Sequence, residues 1–235
     1  MSAEALPQAA GESSAEVVAR RRTALLFVVL IVTSTVALVG GVLWPDPATG
    51  DWYSYRDIAP IRHRWWVVVT ALSISLVLNV PAQALAAVLL TRDRGAVWTT
   101  VGAGMMWVGT GFYAAGAAGW AAFYFFATDP ALDAASGTRL LDQVGDDPRM
   151  FAIAIPGAVL VALGTAVQAA GLWRSRALPR WVPILTLVII LTFIVPTSGS
   201  IGLLVEIPVA VAGIALGYFA WRRAGGGRRG DPQVT

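Results

Sequence analysis

The sequence predicts an all-α polytopic membrane protein, six transmembrane helices in a bundle, and three observations carry that prediction. Hydrophobic residues make up 57% of the 235-residue chain and charged ones only 13%, well outside the balance of a soluble domain. Six windows approach or exceed the roughly 20 apolar residues that cross a hydrocarbon core as a helix. All seventeen basic residues are Arg, and most stand at alternate ends of those windows.

The windows run from Thr23 to Trp44, Trp65 to Thr91, Ala96 to Ala127, Met150 to Trp173, Trp181 to Pro196 and Ile201 to Trp221. The third is long enough to tilt or project, and the fifth is barely long enough to span. Arg20, Arg21 and Arg22 ahead of the first window imitate a signal peptide. The run is too long, however, and ends in Trp44, Pro45, Asp46, Pro47 instead of a small-residue cleavage site, so a retained anchor is expected. Trp44, Trp65, Trp66, Trp98, Trp173, Trp181 and Trp221 fall at window ends, where an amphipathic ring suits the headgroup layer. Residues 1–22 and 223–235 are expected as disordered cytoplasmic tails flanking a 23–222 transmembrane domain.

The Arg map sets the expected orientation. Arg20, Arg21, Arg22, Arg92, Arg94, Arg174, Arg176, Arg180, Arg222, Arg223, Arg228 and Arg229 fall on one side. Arg56, Arg62, Arg64, Arg139 and Arg149 fall on the other, with Asp46, Asp51, Asp57, Asp129, Asp133, Asp142, Asp146 and Asp147. Cytoplasmic loops hold the positive charge, so both termini are expected in the cytoplasm. The Arg-only basic set and the wealth of Ala and Gly point to a high-GC bacterial genome and hence the bacterial cell membrane. Anionic lipid headgroups are the expected partners of these Arg. Topology accounts for the basic clusters, which leaves no case for nucleic acid. Recognition outside the membrane is expected on the outer connections, Pro45 to Arg64 and Thr128 to Arg149, with Thr138 to Val144 a candidate interfacial helix.

Gly102, Gly109 and Gly116 repeat at intervals of seven in the third window, as do Gly157, Gly164 and Gly171 in the fourth. Such stripes let helix backbones approach closely, and packing is the expected role. Pro81, Pro156, Pro183 and Pro208 lie inside or near the start of helices, where each removes a backbone bond and favours a kink.

Glu206 is the one acid placed within a membrane window, where a charge costs a few kcal/mol. It precedes Arg222 by sixteen residues, or about 24 Å of helix, in the outer half of the bilayer. On the same ruler Ser75, Asn79, Thr110 and Tyr113 lie about 20 to 29 Å from the nearest inner Arg. Ser75, Asn79 and Gln83, spaced by four, share a helix face. Glu206, Ser75, Asn79, Thr110 and Tyr113 are therefore the candidate ligand-binding residues of a polar cavity open to the outside. In the competing reading Glu206 is protonated or hydrogen-bonded and locks the last helix to the second.

Catalytic constellations are scarce. The chain has no Cys, and His63, its one His, reads as a solvated interfacial residue beside Arg62, Arg64 and Trp65, so no metal site or cofactor is expected. The outer acids lack the spacing of a calcium loop. Thr197, Ser198, Gly199 and Ser200 faintly suggest a nucleophilic Ser turn, but no intramembrane His or Lys is available as its base. The absence of Lys also excludes a retinal Schiff base and a phosphate-binding GxxxxGK[ST] loop.

The run Leu172, Trp173, Arg174, Ser175, Arg176, Ala177, Leu178, Pro179, Arg180, Trp181 is similar to a cytoplasmic turn between helices four and five in a group of uncharacterised bacterial six-helix membrane proteins, a domain of unknown function. Asn79 and Gln83 in the second window, with the short Arg-containing turn after it, resemble the same layout. Glu206 stands where the last helix of that group tends to carry an acid, in a Val205, Ile207, Pro208 context in place of an Asn-Glu-Met type. The resemblance implies a shared six-helix fold over about two thirds of the chain and brings no activity with it.

The expected function is that of a non-enzymatic binding or regulatory membrane protein, its outer cavity near Glu206 taking a small amphiphile or its helices contacting a membrane protein partner. An intramembrane enzyme on a lipid or isoprenoid substrate stays open, since Glu206 with Trp107, Tyr113 and Trp120 would supply an acid in an aromatic pocket. A small-molecule or proton-coupled transporter also stays open, although the two halves share neither Pro nor Gly placement, as an internal repeat would require.

Overall fold

The computed structural model describes residues 14–44, 53–92, 94–145, 147–193 and 199–225, and every regular element among them is helical. The elements are α1 (Ser14–Leu43), α2 (Tyr55–Ile58), α3 (Arg62–Leu90), α4 (Ala96–Ala127), α5 (Ala134–Gly145), α6 (Ala154–Ser175), α7 (Trp181–Thr186) and α8 (Gly199–Gly225), with short 3-10 segments at Ala59–Ile61, Pro148–Phe151 and Leu187–Phe193. Four helical stretches are long and apolar enough to cross a membrane: Ser14–Leu43, the continuous Tyr55–Leu90, Ala154–Ser175 and Leu203–Gly225.

Two expected boundaries are corrected. Residues 14–22, expected as disordered tail, form the first turns of α1, with Glu16 in the first turn where it complements the helix dipole. Residues 223–225 likewise extend α8, because the Arg223 guanidinium donates to the Leu90 carbonyl at 2.6 Å and ties the last turn of α8 to the end of α3. An apolar window measures hydrocarbon depth and says nothing of how far a helix runs beyond it. Residues 1–13 and 226–235 lie outside the described residues.

The fifth window is a single α-helix only as far as Thr186, and it continues as a 3-10 turn through Leu187–Phe193. The tighter winding rises about 2.0 Å per residue against 1.5 Å in an α-helix. A short element thereby reaches further than its residue count suggests. Residues 194–196 of that window lie outside the described residues.

The described parts of the connections expected outside the membrane carry more structure than the sequence suggested. Asp133 caps α5, its carboxylate accepting from the Ser136 amide at 2.9 Å and the Ser136 hydroxyl at 2.7 Å, so the helix starts four residues before Thr138. The Ser136 hydroxyl, and then its amide, hold that carboxyl below the usual range. Ser54 caps α2, with Asp57 reaching back to its amide at 2.8 Å. Arg62 pairs with Asp129 at 2.9 Å, donates to the Phe125 carbonyl at 3.0 Å and lies 4.0 Å above the Phe125 ring. The Ala131 amide first, and Arg62 after it, hold the Asp129 carboxyl below the ordinary carboxylate range. The exposed His63 ring also packs against Phe125, at 5.7 Å between centroids.

The bundle has a basic end and an aromatic end. At the basic end Arg223 meets Leu90, Arg174 lies over Trp98 at 5.6 Å, and Arg180 lies over Trp173 at 5.5 Å. At the aromatic end Trp44, Tyr53, Trp65, Trp120 and Tyr124 form one cluster, in which Trp65 is 5.0 Å from Trp120 and 5.2 Å from Trp44.

The most extensive helix pairing is between α4 and α6; α1 packs on both α3 and α8, and α3 bridges α1 to α4. The two glycine stripes face each other across the α4–α6 seam. A Cβ on Gly102 would stand 2.6 Å from the Gly164 carbonyl, and one on Gly109 would stand 2.7 Å from the Gly157 carbonyl. Both are backbone atoms of the neighbouring helix and cannot swing aside. Gly95, at φ +93°, continues the seam against Gly171 at the basic end, in a backbone conformation that a Cβ disfavours.

A methyl at this seam must separate two backbones, so Gly102→Ala is expected to destabilise the detergent-extracted protein by about 1–3 kcal/mol. Gly111→Ala on the same helix, where a Cβ meets nothing within 4 Å, should leave stability unchanged or raise it slightly. Thermal unfolding of the two variants side by side checks this. Equal melting temperatures would remove the seam from the account.

Candidate functional site

A cavity of about 370 Å³ lies in the bundle toward its aromatic end, lined from α1, α3, α4, the start of α6, the 187–193 segment and α8. Its volume falls at the small end of the range for ligand pockets, and mostly apolar walls with a few polar groups are their usual composition. Trp44 and Trp120 stand in the wall nearest the aromatic end, with Phe151 and Tyr113. Ser75, Asn79, Tyr113 and Glu206 all line this cavity.

Thr110 does not. It is 1% exposed and its hydroxyl donates to the Met106 carbonyl one turn back on α4, at 2.7 Å. The depth ruler that grouped it with Glu206 measures height along the bundle and ignores the direction a residue faces. Trp107 fails in the same way, at the right depth but 51% exposed on the outer surface of α4.

The α3 polar groups have partners: Ser75 and Asn79 find theirs on α1, and Gln83 finds its own in Asn79. Ser75 donates to the Thr33 carbonyl at 2.7 Å, while the Asn79 amide donates to the Thr33 hydroxyl at 2.7 Å and the Ser34 hydroxyl at 3.3 Å. Gln83 donates to the Asn79 carbonyl oxygen at 2.6 Å. The face shared by Ser75, Asn79 and Gln83 is therefore a ladder that fastens α3 to α1. In a medium without water each of these groups would otherwise be left unsatisfied at a cost of a few kcal/mol. Gln168 makes a similar link from α6 to α3, donating to the Ala84 carbonyl at 3.2 Å.

Glu206 is placed differently. It sits on α8 two residues before Pro208, half-buried and facing the cavity, and among the described residues no hydrogen bond or ion pair reaches its carboxyl. The expectation of a hydrogen-bonded Glu206 locking α8 to α3 finds no such bond there. Of the polar groups in the wall, the amide protons of Asn79 are spent on packing, whereas the carboxyl of Glu206 keeps its capacity for a guest.

Three polar wall residues were not singled out by the sequence: Ser34 on α1, Ser73 on α3 and Thr192 in the 187–193 segment. The signal for Ser34 was present in the Thr33–Ser34–Thr35 run, three adjacent hydroxyls in an otherwise aliphatic stretch. Thr192 joins the wall from the 3-10 segment, its hydroxyl donating to the Ile189 carbonyl at 2.6 Å. Among the described residues no group of three or more His, Asp or Glu is placed to hold a metal ion. The Thr197–Ser198 part of the suggested serine turn lies outside the described residues.

No protein-family model, curated protein or solved structure matches this chain.

Removing the Asn79 side chain strands Thr33, Ser34 and Gln83 together. Asn79→Ala is expected to cost about 1–2 kcal/mol of stability, the upper range for hydrogen bonds between membrane helices. Ser73→Ala, in the same cavity wall, should change stability by less than about 0.5 kcal/mol. Denaturation in mixed micelles of both variants measures the difference, and an unaffected Asn79→Ala would mean the ladder is not a fastening.

Proposed function

We propose that this chain crosses a bacterial cytoplasmic membrane six times, with both ends in the cytoplasm, and acts as a non-enzymatic binding or regulatory protein whose cavity near Glu206 receives a small amphiphile. The six-span count adds α4 and the 181–193 element to the four long apolar helices. α4 carries no charged residue over its 32 positions, and Gly, Trp, Tyr and Thr lower its hydropathy without making it polar. The likeness of the 172–181 turn to uncharacterised bacterial six-helix proteins supports the same layout. The basic end faces the cytoplasm on the positive-inside rule, which places the cavity toward the outer leaflet.

The observation that carries the binding reading is a carboxyl that no hydrogen bond or ion pair reaches among the described residues, in the wall of an apolar, aromatic-sided cavity at membrane depth. Such a group is expensive unless something occupies or neutralises it. One observation favours a second reading: Glu206, Tyr113 and Trp120 share the cavity wall, the set an intramembrane enzyme needs to protonate an isoprenoid.

Native mass spectrometry of gently extracted wild type beside Glu206→Gln tests both. The binding reading expects an adduct of constant mass on wild type that is lost or depleted on the correctly folded variant. Adducts of two masses related by a chemical change would favour the enzyme, and bare protein in both cases would overturn the cavity as a site.

Orientation has its own test, made simple because the chain contains no cysteine. Thr138→Cys on α5 is expected to react with a membrane-impermeant maleimide on intact spheroplasts, and Ala177→Cys only after permeabilisation. The reverse pattern would invert the topology and put the cavity toward the cytoplasm.

A further inference from the structure

We infer that the guest of the Glu206 cavity is an organic cation, an ammonium group carrying a compact apolar body; this rests on the binding reading above and names its ligand class.

Three features of the wall point the same way. The first is charge: among the described residues Glu206 is the only ionisable side chain lining the cavity besides the phenol of Tyr113, and no described Arg, nor His63, lines it. An anionic guest would meet an acid with no counter-charge, whereas a monocation neutralises it and relieves the cost of a carboxylate at membrane depth. The second is the aromatic side. Trp44 and Trp120 line the cavity as a stacked pair with centroids 6.3 Å apart, and Tyr113 joins them. Indole and phenol rings attract ammonium groups through their negative faces, most strongly where water is scarce. The third is donor supply. The Asn79 amide is committed to Thr33 and Ser34, and Ser75 is committed to the Thr33 carbonyl. Among the described residues the strongest donors of the wall, the Asn79 amide protons, are thus spent, and only serine hydroxyls such as Ser34 and Ser73 remain; a carboxylate or phosphate would demand more, and a quaternary or tertiary ammonium asks for none.

The size is consistent with a headgroup and a short apolar body. About 370 Å³ does not hold a full two-chain lipid, so a larger amphiphile would place its cationic head here and leave its tail outside.

The test compares benzyltrimethylammonium with neopentylbenzene, which has the same shape with carbon in place of the charged nitrogen. Binding to wild type, Glu206→Gln, Glu206→Asp and Trp120→Leu is measured in nonionic detergent by calorimetry and by quenching of tryptophan fluorescence. The cation should bind wild type at least about tenfold tighter than the neutral isostere. That preference should vanish in Glu206→Gln, persist in Glu206→Asp and shrink in Trp120→Leu. Equal binding of both probes to wild type, unmoved by Glu206→Gln, would overturn the cation inference while leaving a binding cavity in place. Binding of neither probe to folded wild type would also overturn it, and the native mass spectrum then decides separately whether the cavity holds any guest.

Discussion

Two helices with glycine on their facing sides can approach until backbone meets backbone, and the α4–α6 seam does this along most of its length, from Gly95 against Gly171 to Gly116 against Ala154. Lipid offers no hydrophobic penalty for keeping helices apart, so dispersion and fit between surfaces decide which helices associate. The seam makes α4 and α6 one unit. On the other side, α1 with α3 and α8 makes a second unit, fastened by the Thr33, Asn79 and Gln83 ladder and by packing around Leu30, Leu216 and Ala220. α3 belongs to both, since it also packs on α4.

The cavity lies where these two units diverge. Toward the basic end, Leu90, Leu172 and Val182 fill the space between them as one buried cluster. At mid-depth Val80, Met106, Val161 and Ile189 do the same. Beyond that, the walls are small or aromatic: Gly41, Ala117 and Gly116 make room, and Trp44 and Trp120 close the space toward the surface. The 187–193 segment in its 3-10 winding contributes Ile189 to the core below and Thr192 to the wall above. The irregular element thus serves as the partition between packed core and cavity.

Much of this was legible from residue order alone. Glycines seven apart on two consecutive windows announced a seam, because that spacing returns to almost the same helix face. Arg placement marked the helix ends that gather Arg174, Arg180 and Arg223, and counting residues back from Arg222 put Glu206 level with Ser75, Asn79 and Tyr113, which line the same cavity. What the order of residues did not contain is azimuth. Thr110 and Trp107 sit at the right height and face elsewhere, the first toward its own helix backbone and the second outward. Nor did it show which polar groups would be consumed by packing. Ser75, Asn79 and Gln83 read equally well as a ligand face or as a fastening, and only the position of Thr33 and Ser34 opposite them decides for the fastening. The start of α1 at Ser14 was hidden for a different reason, since a charged helical extension has no apolar signature.

That division of polar groups bears on what the site can do. A proton-coupled carrier needs a path of groups that change partners as the proton moves, and the ladder between α1 and α3 is a poor candidate because its amide protons hold two helices together. An acid catalyst needs its proton aimed at a substrate and a way to recover it, and in the wall that Glu206 shares, Ser75 and Asn79 on α3 are already engaged with α1. A binding site needs less: one unspent charge, walls that exclude water and space to fill. With Ser75 and Asn79 on α3 spent on α1, Glu206 is the one carboxyl that faces the cavity among the described residues, and under the proposed binding role the sign of its charge would set the chemistry of the guest.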